Sequence, residues 1–270
     1  MDVTPFAGSR AAHAWLWFRF VLFFGMHAAV LAAMVLVPPT TPMVALFGLS
    51  YALRLVGITV GYHRYFAHKA FRTSRPVQLL LAILAQSANQ NGVLWWAARH
   101  RHHHARSDQP EDVHSPVQHG FLRAHLTWFM YPEAWPVDDN YVRDWLKVPE
   151  LVLLQKLPFL PTLTLALVLL GTLGWPGLLW GHVVPTVALL HATFSVNSLT
   201  HMSGSQPHDT GDASRNHPLI AALTFGEGWH NNHHHRPRRA RFGEVWWQVD
   251  VGYGVIWVLE RLGLVWDVQR

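Results

Sequence analysis

Apolar residues gather in four long runs along this chain, each near the roughly 20 residues a helix needs to cross a bilayer. The first covers about 14–37 and stops at Pro38-Pro39. The second starts near Pro42 and reaches about Tyr62. The third lies near 157–173, with Pro158 and Pro161 in its first turns, where proline is tolerated. The fourth covers about 177–199. A fifth run, VQLLLAILAQ at 77–86, is too short to span and is followed by SANQNG, which predicts an interfacial or cap helix. The predicted fold is therefore an all-α integral membrane protein with four transmembrane helices. The segments 63–156 and 200–270 form a helical cytoplasmic cap, and residues 1–270 read as a single domain without internal repeats.

Composition supports this reading. Half of the 270 residues are hydrophobic and 14% are charged, against about 25% charge in soluble domains. Fourteen tryptophans suit membrane interfaces. The linkers PPTTP and GTLGWPG hold no Lys or Arg, whereas 63–156 holds eleven and the tail after residue 200 holds seven. By the positive-inside rule both termini and the middle segment are cytoplasmic. The net charge of +5 then reads as the basic excess of cytoplasmic loops, not as a nucleic-acid surface. Without cysteine, disulfides, thiolate metal sites and protein-held iron–sulfur clusters are excluded. No signal peptide is expected, because no basic stretch followed by a small-residue cleavage site stands near Met1. Arg54 falls near the middle of the second run, where a charge is costly, and is expected to face a polar cavity between helices or to snorkel. His27, His182 and His191 also fall within spans and read as hydrogen-bonded packing residues.

The chemistry lies in the remaining histidines. HRHHH at 100–104 and HNNHHH at 230–235 share the pattern H-x-x-H-H. On a helix, positions i, i+3 and i+4 share a face. His100, His103 and His104 form one such set and His230, His233 and His234 another, each offering three imidazoles to one point. His102 points away. His63 and His68, in GYHRYFAH, stand five apart, about 140° on a helical wheel, so the helix must end or distort between them. His201 follows the fourth span, one turn after Asn197 in NSLTH. Charge counting puts all nine on the cytoplasmic side. Nine ligands exceed one mononuclear site and suit two metals; imidazole accommodates zinc, copper, iron or nickel.

GYHRYFAH, HRHHH, NSLTH and GEGWHNNHH resemble, in order and spacing, the histidine boxes of the membrane-bound fatty acyl desaturases. The likeness is to the stearoyl-CoA desaturase-like delta-9 branch and its bacterial members, from about residue 50 onward. The resemblance implies two iron ions held by His63, His68, His100, His103, His104, His201, His230, His233 and His234, with Asn197 holding a metal-bound water. It implies O2 as co-substrate, a long-chain acyl substrate (acyl-CoA, acyl-lipid or acyl-carrier) and insertion of a cis double bond. It also implies a bacterial inner membrane as the setting. The sequence shows no haem- or flavin-binding segment. Electrons are therefore expected from a separate protein, such as a ferredoxin or a b-type cytochrome with its reductase.

One position departs from the pattern. Mammalian members carry a coenzyme A-binding arginine two residues before the first histidine of the second box, and here that position is Ala98. Arg72, Arg75, Arg99 and Lys156 remain candidates for an anionic headgroup. If the second span lines the acyl tunnel, Tyr51 and Phe47 lie roughly 18 and 24 Å from His63 along it. The family's tunnel ends on this span, so these two rings are expected to shorten the tunnel. Two other readings fit part of the pattern. A di-iron hydroxylase shares such boxes, although H-x-x-x-x-H as the first box is more like the delta-9 desaturases. A zinc or nickel transporter or buffer would also use histidines, but transporters place ligands near the midplane.

Overall fold

The apolar runs form helices in the predicted order, and where they depart from regular winding they shape the site. The structure is a computed structural model and describes residues 10–131, 134–135 and 138–270. The segment before Arg10, where no signal peptide is expected, lies outside the described residues. Helix α1 (Arg10–Leu36) turns its apolar side chains outward; Leu31, Val35 and Leu36 are 67, 78 and 76% exposed. Such a helix is solvated by acyl chains. Helix α2 (Thr41–Val56) begins with Pro42 in its first turn and passes without a break into a π-wound stretch, Gly57–Ala67. Strand β1 (Arg72–Thr73) precedes α3 (Arg75–Gln86) and α4 (Val93–Arg106). Short helices α5 (Pro116–His119) and α6 (Pro149–Lys156) belong to the cap. Helix α7 (Leu160–Leu178) runs through a π-wound Leu179–Val183 into α8 (Val184–Ser198). The tail holds α9 (Pro218–Leu223), α10 (His230–His235), α11 (Val251–Arg261) and β2 (Val265–Trp266).

Among the described residues, three helical runs are long and apolar enough to cross a membrane: Leu16–Leu36, Thr41–Ala67 and Leu160–His201. The last has 42 residues. Unbroken, it would measure about 63 Å, twice the thickness of a bilayer core of about 30 Å. It is interrupted at Gly174, whose backbone (φ 65, ψ −162) is not helical and is accessible to glycine without strain. The second run also passes Tyr62, where it was expected to stop, so His63 lies inside a helix.

The short run at 77–86 forms the 12-residue α3, which packs on the π-wound stretch. Gly57 permits the approach: a Cβ there would stand 2.7 Å from Ala85 N and Leu84 C. Tyr62, Phe66, Phe71, Ala82 and Ala97 are buried in the resulting core. That core joins the end of α2 to the cap. Arg54 neither snorkels nor meets a carboxylate. It is 1% exposed and donates to Ser87 O (2.9 Å), His182 O (3.3 Å) and Thr186 Oγ1 (2.6 Å). Three acceptors from neighbouring segments thus replace a counter-ion and tie α2 to the Leu179–Val183 turn and α8. The tail is clamped back by β1–β2 pairing, Arg72 opposite Trp266 and Thr73 opposite Val265.

Candidate metal centre

The π winding resolves the spacing of the first box. With i→i+5 bonding, residues five apart return over one another. His68 N donates to His63 O at 3.1 Å, itself such a bond, and the two ring centroids lie 4.9 Å apart.

The two H-x-x-H-H helices were expected to aim three imidazoles each at one point. Instead each helix divides its set. His63, His68, His100, His104 and His233 form a first group, and His103, His201, His230 and His234 a second; within each group the ligand atoms lie within 4.8 Å of one another. Helical geometry explains the split. Positions i and i+4 are about 40° apart, but i+3 lies about 100° from i+4. So α4 gives His100 and His104 to the first group and His103 to the second. Helix α10 does the reverse, giving His230 and His234 to the second and His233 to the first. The groups share a wall, where the His104 and His234 ring centroids are 4.4 Å apart. His102 packs against Tyr141 instead, with centroids 5.7 Å apart.

Four carboxylates stand behind these rings. His63 Nδ1 donates to Glu227. His103 Nδ1 donates to Asp112 (2.9 Å), His201 Nδ1 to Asp108 (2.9 Å) and His234 Nδ1 to Asp212 (2.6 Å). An ionised carboxylate only accepts, so each ring carries its proton on Nδ1 and turns the Nε2 lone pair inward. The Nε2 atoms of His63 and His233 are 2.9 Å apart, those of His104 and His233 3.0 Å, and those of His201 and His230 3.0 Å. Nε2 of His103 and of His234 is buried without a hydrogen-bond partner. Lone pairs converging at such distances repel unless a cation stands between them. The donor set of each group therefore fits a metal ion.

The carboxylates are themselves held. Asp108 accepts from Ser115 Oγ (2.6 Å) and Ala213 N (2.8 Å). Asp212 accepts from Thr210 Oγ1 (2.6 Å) and Ser214 N (3.0 Å). Glu227 accepts from Thr59 Oγ1 and lies 3.6 Å from Arg64, which also pairs with Asp250 at 2.9 Å. Burial alone would raise Asp112, but the adjoining His103 and His114 rings hold it well below the usual carboxylate range. Burial, reinforced by neighbouring imidazoles, pushes His68, His100, His104, His230 and His233 well below the ordinary histidine value. Neutral imidazole is the form that binds metal.

Sequence reading missed these carboxylates, and also Asn231 and Asn232. Asn231 Nδ2 donates to His208 O (3.0 Å), and Asn232 Nδ2 to Phe242 O (2.9 Å) and Gln248 Oε1 (3.0 Å). Together they anchor the six-residue α10. For three of the four carboxylates the available signal was local: in a chain with 16 acidic residues, SDQPED begins three residues past His104 and Glu227 stands three residues before His230.

A cavity lined largely by aromatic residues reaches the first group. Phe18, Phe23, Trp95, Trp96, Trp128 and Phe194 contribute to its wall, and His100 and Asn197 lie at its lining. Trp96 stacks on His100, with centroids 5.0 Å apart at 17°. The walls come from α1, α4, α8 and cap segments, not from α2. Tyr51 donates to Leu223 O at 2.7 Å and packs beside Leu55, Ile58 and Leu189. Phe47 packs near Ala33 and Trp180. Of the four candidate headgroup cations, Arg99 lines the cavity and donates to Ala134 O at 2.6 Å. Burial lowers its pKa to about 10. Arg75 pairs with Glu150 through two bonds (2.9 and 2.7 Å), Arg72 pairs with Asp267 at 3.2 Å, and Lys156 is exposed at the end of α6.

Comparison with known proteins agrees with this geometry. Residues 39–247 match the family described as Fatty acid desaturase. The chain is 34% identical over 258 residues to sn-1 stearoyl-lipid 9-desaturase of Anabaena variabilis, covering 94% of this chain and 93% of that protein. It is 38% identical over 240 residues to hex-5-enoyl-(acyl-carrier protein) acetylenase of Moorena producens (81% and 74%). It is 32% identical over 266 residues to acyl-CoA C20 Delta5-desaturase of Anemone leveillei (93% and 81%). With its histidine boxes gathered into two buried groups beside an aromatic cavity, this chain belongs to the fatty acid desaturase family and is an oxidoreductase.

Proposed function

We propose that the chain is a membrane-bound di-iron desaturase that inserts a cis double bond, at delta-9, into a saturated acyl chain. The balance is –CH2–CH2– + O2 + 2e− + 2H+ → –CH=CH– + 2H2O. The electrons come from a separate protein, a ferredoxin or a b-type cytochrome with its reductase. The observation that carries this reading is the shared wall between the aromatic cavity and the first imidazole group at His100. An apolar chain and a metal-binding group can meet only where such a wall exists. Two irons, when bound, would supply the oxidising power that an unactivated methylene demands.

The protein's own part is position. Glu227, Asp112, Asp108 and Asp212 fix the tautomers of His63, His103, His201 and His234. Trp96 and the surrounding rings exclude water and orient the chain. Asn197 holds a water on the metal side of the cavity. Arg99 meets the acyl headgroup, with Arg72, Arg75 and Lys156 nearer the surface, and the acyl tail runs beyond the aromatic cavity to Phe47 and Tyr51 on α2, which limit its length. The three relatives are named for three different carriers: lipid, acyl-carrier protein and coenzyme A. Ala98, where an arginine would hold coenzyme A, favours lipid. The chain forms one domain with four spans, the break at Gly174 separating the last two, and both termini and the metal centre on the cytoplasmic side of a bacterial inner membrane.

The test is expression in a host of known lipid composition, followed by mass spectrometry that resolves lipid class and double-bond position. A new delta-9 monoene in intact lipids is the expected result. A hydroxylated acyl product, or no acyl product from iron-loaded protein with a competent reductant, would overturn the reading.

A further inference from the structure

The tail, expected as part of a cap outside the membrane, touches α2 halfway along its span. Tyr51 stands ten residues past Thr41, where α2 begins. That is about 15 Å along the helix, half of a bilayer core of about 30 Å. At this depth the Tyr51 hydroxyl donates to Leu223 O, the last carbonyl of α9, at 2.7 Å. Phe225, two residues on, packs with Leu55 and Ile58 of the same helical run. A second cap segment reaches a similar depth: Arg54 donates to Ser87 O, just past the end of α3, at 2.9 Å. Lipid offers backbone groups no partners, and the turn after α9 supplies its own. Phe225 O accepts from Gly252 N (2.9 Å), Thr224 N donates to Ile220 O (2.9 Å) and Gly226 N donates to Ala221 O (2.8 Å).

What this part of the tail turns outward is apolar. Leu219 is 62% exposed and Trp246 91%, and Leu223, Trp247 and Val249 are exposed too. One residue ties these segments together. Trp229 Nε1 donates to Val249 O at 2.9 Å, its ring centroid lies 5.4 Å from that of Trp247, and it shares a small core with Ala221 of α9. So α9 and the loop 245–249 form one fixed surface. That surface continues the lipid-facing side of α2: Val44, seven residues before Tyr51 and on the same helical face, is exposed. The sign of the chain changes just before the loop. Arg236, Arg238 and Arg241 are exposed, while Glu244 is engaged by His208 (2.8 Å) and Arg239 (3.7 Å). Tryptophan beside arginine suits the headgroup layer, and a basic run there is drawn to anionic lipid.

We propose that α9 and the loop 245–249 are a second membrane contact of this chain, sunk into the cytoplasmic leaflet, with Arg236, Arg238 and Arg241 at the level of anionic headgroups. The occupant of the apolar surface is lipid and not another protein, because the depth set by Tyr51 is one that acyl chains fill. That depth rests on α2 crossing the bilayer from Thr41 to about Tyr62. Trp229, which joins the two segments, directly precedes the ligand His230. The contact therefore fixes the height of the metal centre over the leaflet.

The chain has no cysteine, so a single introduced thiol reports a single site. Leu219→Cys, Trp246→Cys and Val249→Cys each carry a nitroxide in nanodiscs of phosphatidylcholine with phosphatidylglycerol; Val249 keeps the loop testable with both tryptophans in place. Leu31→Cys on the lipid face of α1 and Lys147→Cys on the cap are the references. Power-saturation EPR reads collisions with oxygen, which concentrates in lipid, and with a neutral nickel chelate, which stays in water. The tail sites should give the high oxygen-to-nickel ratio of Leu31. The low ratio of Lys147 at Leu219 or Val249, or exclusion of both reagents as under a protein partner, would overturn the contact. In phosphatidylcholine alone the ratio at Trp246 should fall; an unchanged ratio would overturn the part given to the arginines. A low ratio at Leu31 itself would sink the span, an outcome distinct from a tail in water beside a span in lipid.

Discussion

The two imidazole groups differ in charge, and that difference predicts which metal is held harder. Three carboxylates, Asp108, Asp112 and Asp212, back the second group; one, Glu227, backs the first and is shared with Arg64 at 3.6 Å. A carboxylate behind a ring stands roughly 7 Å from an ion bound about 2 Å beyond Nε2. For a doubly charged ion at an effective dielectric near 20, Coulomb's law gives about 5 kcal/mol for each. Removing one such partner in metal sites costs only about 10–100-fold in affinity, roughly 1.4–2.7 kcal/mol, because the substituted site relaxes. Two extra carboxylates should therefore favour the second group by about 10²–10⁴-fold. The first group has one more imidazole, but a neutral ligand only displaces water, whereas the carboxylates act as full charges in a buried site. His68→Ala strips a ligand from the first group alone, and His230→Ala from the second alone. Under stepwise chelator competition with metal analysis, His68→Ala should keep about one metal per chain at chelator concentrations about 100-fold above those that empty His230→Ala. Adding Asp212→Asn to His68→Ala should remove about 10–100-fold of that resistance. Equal retention by the two histidine variants, or the reverse order, would refute the charge argument.

Three further outcomes follow from the same geometry. His104→Ala and His234→Ala should lose activity by at least about 100-fold while remaining membrane-inserted, whereas His102→Ala, which packs on Tyr141, should stay within a few-fold of wild type in acyl product analysis. The metal-free protein should melt at lower temperature as pH falls. Burial lowers His234 to about 4 and five other ligands well below the ordinary value. The unfolded chain therefore binds more protons than the folded one between about 6.5 and 4, and stability drains across that window; a melting temperature flat over it in detergent scans would contradict this. Tyr51→Ala, which removes a hydrogen bond to Leu223 O and opens space beside Leu55 and Leu189, should shift products toward longer chains on a saturated series; an unchanged length profile with normal expression removes Tyr51 from the tunnel.

Much of the helical framework could be read from hydropathy, because burial in lipid demands long apolar runs and leaves little freedom in where they stop. Two features escaped that logic. Apolar length cannot distinguish α from π winding, so Thr41–Ala67 reads as an ordinary span that ends too soon and leaves His63 and His68 facing apart. Their five-residue spacing was the only sign that the backbone winds differently there. Hydropathy likewise marks spans three and four as separate, yet their helical runs join across one non-helical glycine, Gly174.

At the site, residue types and spacing located the nine imidazoles but not how they divide. A helical wheel treats His100, His103 and His104 as one face. The distinction between i+3 and i+4, small on a lipid-facing surface, becomes decisive when ring nitrogens meet within 4.8 Å. The two helices then act as mirror contributors, two rings and one, one ring and two. The carboxylates were harder still to read. Asp108 and Asp112 lie in a loop four and eight residues past His104, Asp212 lies 22 residues before His234, and Glu227 is far in sequence from His63. No helical period links an acid to its histidine. What links them is chemistry: an acceptor for the Nδ1 proton fixes the tautomer in which Nε2 can serve a metal. Each buried ligand histidine in such a chain therefore asks for an acceptor elsewhere, and the few acids beside the boxes are where to look first. His230 and His233, whose Nδ1 atoms are buried without a hydrogen-bond partner, are ligands that none of the four acids reaches, so packing in α10 rather than an acceptor holds their rings.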